Sequence, residues 1–232
     1  MQMKEHFKEK KELLRVILGI LLTILVNGYG LCITKEVMNN RNSLPKIEFF
    51  KSFVFGIKAS IVIIIYTAVQ FLVLTFVSLV FDFPFISIKE GEILLLNVGS
   101  LFTAHGSLET ILFIVFVIIT FYISTFFLEI ALARLADKGK ITSALNLYAI
   151  KRCLGTIGWG SYTLDYTKLI LAIAILAYIK YGIDFVFIGN EVLDMLIGVL
   201  IFITEFIGIG MIYKVYKVKT SHLSRPRRRR NF

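Results

Sequence analysis

Charge is scarce in this chain. Only 18% of its residues are charged and 57% are hydrophobic, where a soluble domain typically carries about 25% charged residues. The mean hydropathy is +0.79. These values exclude an ordinary water-soluble domain, and no interval between the apolar runs has room for one. Cysteine is nearly absent. Cys32 and Cys153 stand far apart with no CxxC, and both are expected on the inner side, where thiols stay reduced, so no disulfide is expected. His6, His105 and His222 have no carboxylate or cysteine at ligand spacing, which leaves no metal site. Serine, histidine and aspartate occur without a nucleophile context. The glycine-rich GTIGWG at 155–160 follows a helical pattern rather than a strand, so it is not read as a phosphate loop. No cofactor is expected, and hydrolase chemistry has no support; an intramembrane enzyme stands only third among the readings.

Long apolar runs dominate what remains. A bilayer core is crossed by about 20 apolar residues in a helix. Five runs meet that length, at about 13–34, 57–81, 110–136, 166–188 and 192–213. The fold expected is therefore an all-α polytopic membrane bundle of five helices. Residues 1–218 form one integral-membrane domain, and 219–232 form a basic tail. No cleavage site of small residues follows the first run, so no removed signal peptide is expected. Asn27-Gly28-Tyr29-Gly30 interrupts that run and predicts a kink near its end. Ile93 to Thr103 is apolar but too short to span, and reads as a surface or re-entrant piece.

Two basic elbows join the spans, at 43–58 and 142–158. In the first, Ser43 is a candidate cap with Pro45 in the first turn. Ile47, Phe50, Val54 and Ile57 then share one helical face. In the second, Thr142 is the candidate cap, and Leu147, Ile150, Leu154 and Ile157 repeat the pattern 100 residues later. Ser43/Ser143, Lys51/Lys151 and Tyr66/Tyr166 coincide at the same offset. The chain reads as two copies of one membrane unit plus a final helix. Each elbow is expected to lie in the interface as an amphipathic helix.

Lys and Arg mark the cytoplasmic side. The elbows hold five (Lys35 to Lys58) and six (Arg134 to Lys168), and the tail from Lys214 holds eight. The two other loops hold one each, Lys89 and Lys180. Elbows and tail are therefore expected in the cytoplasm. Five spans put the N-terminus outside. The alternative is a first segment that does not cross, with both of its ends inside. The repeat favours a crossing. The formal net charge of +10 is explained by topology and anionic lipid, and nucleic acid is the minority reading.

A glycine–tyrosine pair, Gly28-Tyr29, ends the first span, and a basic turn leads to Leu44-Pro45 and an aromatic-rich amphipathic run. A later span ends in an A-R-x-A-D-x-G turn: Ala133, Arg134, Ala136, Asp137 and Gly139. With these motifs the chain resembles the uncharacterised, largely archaeal membrane family called domain of unknown function 4013, over about residues 15 to 215. Where the family usually has an Arg pair after the glycine–tyrosine, this chain has Ile33 to Glu36. The resemblance implies a multi-pass membrane protein with no established activity, and it supplies no catalytic residue.

Ionisable groups within spans are costly, at least about 2.5 kcal/mol each at the centre on insertion scales. Glu205 is the clearest case. It is either a proton, cation or substrate site, or a packing contact. Glu129 is expected to pair with Arg134 or a lysine near the interface. Lys58 can snorkel along its stem. Glu205, at ~13 Å from Lys214 along its helix, together with Glu129 and Lys58, forms a candidate intramembrane polar cluster. Gln70 and Tyr66 read as interhelical hydrogen-bond groups, and Trp159, Tyr162 and Tyr166 as an aromatic belt. Arg227, Arg228, Arg229 and Arg230 are candidate contacts for anionic lipid. Two function classes follow. The first is a non-enzymatic scaffold, lipid-interacting protein or complex subunit, with a membrane-protein partner or a second copy of itself. The alternative is a small transporter or permease component built on a buried carboxylate. Against the latter, paired Gly/Pro breaks in both halves are lacking.

Overall fold

The computed structural model describes residues 2–41, 44–81, 86–89, 92–95, 107–186 and 191–223. Without water in a bilayer core, each backbone polar group needs an internal partner, and a helix supplies one to every residue. The chain obeys this with five helices long and apolar enough to cross a membrane. They are α1 (Gln2–Met38), α2 (Phe49–Phe81), α3 (Ser107–Lys138), α6 (Trp159–Val186) and α7 (Glu191–Leu223). Two short helices, α4 (Ile141–Leu145) and α5 (Leu147–Ile157), form the second elbow. A two-stranded antiparallel hairpin, β1 (Ile86–Lys89) with β2 (Glu92–Leu95), joins α2 to α3, and pairs Ile86 with Leu95 and Lys89 with Glu92. The protein is an all-α multi-pass membrane protein that carries this one small hairpin among the described residues.

The chain divides into two compact units. The first holds residues 1–62 and 129–232. In it α7 packs on α1, α6 and α5. Small residues set the approach of the helices, as expected where lipid is as apolar as leucine and close contact must drive association. A Cβ at Gly28 would overlap the Ser52 carbonyl of α2, and a Cβ at Gly56 would overlap that of Ile24. A Cβ at Gly30 would lie 2.5 Å from the Phe206 ring. Beside it the Thr34 hydroxyl donates to the Phe206 carbonyl at 2.9 Å. The second unit holds residues 63–128. Leu74, Thr110, Phe113 and Phe126 are buried there, while Leu72, Phe76, Leu79 and Ile118 are exposed, which suits a lipid-facing surface.

Several expectations change. α1 is helical without a break through Gly28 and Gly30 to Met38, because these glycines serve as contact points. The first elbow is not a separate helix. Residues 44–48 are extended, Pro45 lies outside the helix, and α2 runs unbroken from Phe49 into the span. Ser43 and residues 96–106, which include most of the apolar piece Ile93 to Thr103, lie outside the described residues. The second elbow is broken: Gly158, at φ +99, separates α5 from α6. The two elbows therefore diverge where an offset of 100 aligns Lys58 with Gly158. Before that point they agree. α1 ends at Met38 and α3 at Lys138, with left-handed residues just beyond, Asn40 (φ 60) and Gly139 (φ 68). Thr142 lies inside α4 and is not its cap. The cap that forms is Asn146, whose side chain accepts from Ala149 N at 2.9 Å at the start of α5.

The apolar face of α5 is not free for lipid. Ile150, Leu154 and Ile157 are fully buried as α5 packs on α6 and α7. On the first elbow Phe50, the equivalent of Ile150, is 80% exposed, while Ile47 and its equivalent Leu147 are both exposed. Tyr162 and Tyr166 do not form a belt. Both are fully buried and stacked at 6.0 Å, and only Trp159 of the trio is exposed.

Candidate functional site

The polar groups of the first unit form two layers. The lower layer lies where α1, α3 and α7 end, and the A-R-x-A-D-x-G turn builds it. Ala133 and Ala136 have no exposed surface, so neighbouring elements can approach α3 closely. Arg134, nearly buried, donates from Nε to the Ser143 carbonyl at 2.9 Å and from Nη1 to Ala149 at 3.5 Å. It thereby fixes α4 and α5 to α3. The Gly139 carbonyl accepts from Lys58 Nζ at 2.7 Å, and the same ammonium lies 5.8 Å from the Phe55 ring centre. Asp137 pairs with Lys217 of α7 at 3.1 Å, and Lys217 also donates to Asn39 at the end of α1 at 3.0 Å. Lys219 donates to the last carbonyl of α5, Ile157, at 2.8 Å. This layer locks the helix ends together. Burial pushes the Cys153 thiol up to about 12, although the Arg134 charge acts the other way. That thiol is neutral and inert at physiological pH.

The upper layer is the pair Glu129 and Glu205. Glu129 is 9% exposed, and its Oε2 is buried with no hydrogen-bond partner among the described residues. Glu205 of α7 lies close enough to act on it electrostatically. Glu129 precedes Lys138 by nine residues, and Glu205 precedes Lys214 by nine, so each sits about 13 Å from the basic end of its helix. That depth is near the middle of a hydrocarbon core about 30 Å thick. No ion pair joins either carboxylate to a cation among the described residues.

This arrangement revises the polar cluster expected from sequence. Glu205 acts electrostatically on Glu129, but Lys58 is held by the Gly139 carbonyl and pairs with neither. Arg134 does not pair with Glu129, because its guanidinium is engaged by carbonyls of the elbow. Arg227, Arg228, Arg229 and Arg230 lie outside the described residues. At the far end of the bundle Lys180 of α6 pairs with Asp194 of α7. Sequence reasoning did not find Lys217, Asn39 or the cap at Asn146, and gave Asp137 only as a member of the charged turn. The only signal was the charged turn itself. Among the described residues, no group of three His, Cys, Asp or Glu side chains could hold a metal ion.

Residues 13–189 match the family described as Protein of unknown function (DUF4013). The match stops before α7, the helix that carries Glu205. No curated protein and no solved structure matches the chain.

Proposed function

The chain belongs to the DUF4013 family of proteins of unknown function, and we propose that it is a small membrane carrier component whose Glu129–Glu205 pair takes up and releases a proton. The observation that carries this is the sealed, unpartnered Oε2 of Glu129 with a second carboxylate acting on it. Two ionised carboxylates at close range with no cation repel strongly in a medium of low dielectric. Sharing a proton removes that repulsion and supplies a donor for the orphaned oxygen. Intramembrane carboxylates of this kind mark proton and ion pathways. The charged side chains of the lower layer are engaged by carbonyls or by opposite charges instead.

The Lys and Arg bias of the elbows and tail supports an orientation with the ends of α1, α3 and α7 in the cytoplasm and the N-terminus outside.

A second reading is a scaffold or lipid-interacting protein. It is favoured by the first elbow, where Leu44, Ile47, Phe49 and Phe50 are exposed beside Lys46 and Lys51. The second elbow does not support it, since its apolar face is covered by protein.

The test is proton flux into proteoliposomes under an imposed pH gradient. The wild-type chain is expected to carry protons, with Glu129→Gln and Glu205→Gln each returning the rate to that of protein-free liposomes. Equal flux in wild type and variants would rule the proposal out.

A further inference from the structure

We infer that the first elbow and α7 together form a binding site for one anionic glycerophospholipid, with its headgroup in a basic pocket and an acyl chain in an apolar groove. Two cavities stack along α1. The deeper one, of about 510 Å³, runs between α1 and α7 past Val26, Tyr29, Phe49, Met195, Gly198 and Phe202. Its lining is almost wholly apolar, and Phe49 and Met195 stay 67% and 71% exposed, so it opens sideways toward hydrocarbon. The second, of about 450 Å³, is lined by Lys35 and Glu36 further along α1, by Arg41 beyond its end, and by Lys46, Glu48 and Lys51 of the elbow and the start of α2. Tyr29 in the groove and Glu36 in the pocket are about 10 Å apart along the helix.

Charge chooses the occupant. Four cations face two carboxylates in the pocket. Arg41 pairs with Glu36 at 3.1 Å and Lys51 with Glu48 at 3.3 Å. Lys35 and Lys46 have no ion-pair partner among the described residues, which leaves two positive charges for a phosphodiester. A polar, basic chamber at the helix end, stacked on an apolar slot that opens to lipid, reproduces the order of head and tail in a phospholipid. The Tyr29 hydroxyl donates to the Pro45 carbonyl at 3.2 Å and holds the extended loop over both chambers. A second protein helix would not need the basic chamber, and a soluble anion would not need the groove.

The test is native mass spectrometry of the full chain from mixed phosphatidylglycerol and phosphatidylcholine nanodiscs, counting retained lipid. The wild type is expected to retain one phosphatidylglycerol. Lys35→Gln with Lys46→Gln should lower the preference over phosphatidylcholine about thirtyfold, at about fivefold per surface lysine. Gly198→Phe should abolish retention, because a Cβ at Gly198 meets nothing within 4 Å and the ring can fill the slot. Lys151→Gln with Arg152→Gln, exposed on α5, should leave retention unchanged. Equal retention of both lipids by the wild type would overturn the inference. So would an equal loss in the α5 variant, or a second copy of the chain in place of lipid.

Discussion

The Lys58 ammonium donates to the Gly139 carbonyl at 2.7 Å. A lysine two turns into a membrane segment thus secures the turn after α3 rather than the carboxylates nearby. Gly139 holds φ +68, a backbone state that favours glycine, and this aims its carbonyl at α2.

Removing that tie is expected to destabilise the protein without disturbing the carboxylates. Lys58→Met should lower the unfolding free energy in nanodiscs by about 1–3 kcal/mol. Combined with Glu205→Gln, its effect should add within about 0.5 kcal/mol, as for independent sites. A larger coupling would mean that Lys58 senses the pair.

Arg134 should not tolerate lysine. Its guanidinium reaches two carbonyls from one buried position, which a single ammonium cannot reproduce. Arg134→Lys is expected to cost about 2–3 kcal/mol and to raise proteolysis within residues 139–158 while the spans stay folded. Lys217→Met should give a smaller loss, about 1 kcal/mol, because its pair with Asp137 is partly exposed. Thermal unfolding and limited proteolysis check both.

Glycine substitutions should sort by contact. Gly28→Ala and Gly56→Ala each place a Cβ on a neighbouring backbone carbonyl, so α1 and α2 must separate. A loss of more than about 2 kcal/mol is expected for each. Gly19, with nothing within 4 Å of its added Cβ, should accept alanine with a small gain in helix stability. Equal behaviour at all three positions would contradict the packing described.

Cys153 should resist alkylation. Its thiol is buried and held at about 12, so the thiolate is rare at pH 8. Maleimide is expected to modify it only after unfolding. A neutral buried thiol with a raised value contributes stability that is intact below the unfolded value near 9.0 and declines as pH rises toward 12. Stability between pH 6 and 8 should therefore be unchanged by Cys153→Ser beyond a constant offset.

Hydropathy alone made the five spans legible, since only length and apolarity decide what crosses a bilayer. Glu205 and Glu129 were legible for the same reason, as rare charges in apolar runs. The sequence pattern could not say which apolar faces meet protein. The stripes Ile47-Phe50-Val54-Ile57 and Leu147-Ile150-Leu154-Ile157 look alike, yet most of the first is exposed and most of the second is buried. Lipid and protein interior are equally apolar, so periodicity does not distinguish them. Tyr162 and Tyr166 were misread as a belt on the same ground. The links Lys58–Gly139, Asp137–Lys217 and Lys217–Asn39 join residues distant in the chain, and no local spacing signals them. The A-R-x-A-D-x-G turn was visible as a motif, but its role in tying helices together depends on partners from α1, α2, α4, α5 and α7.

The most direct measurement is the carboxyl infrared band of the wild-type chain in nanodiscs, titrated from acid to alkaline pH and compared with Glu129→Gln and Glu205→Gln. A protonated carboxyl signal that persists at neutral pH, titrates away in alkali and is lost or shifted in either variant is the predicted result. No such signal in the wild type, or a signal that neither variant changes, would contradict a proton shared between Glu129 and Glu205.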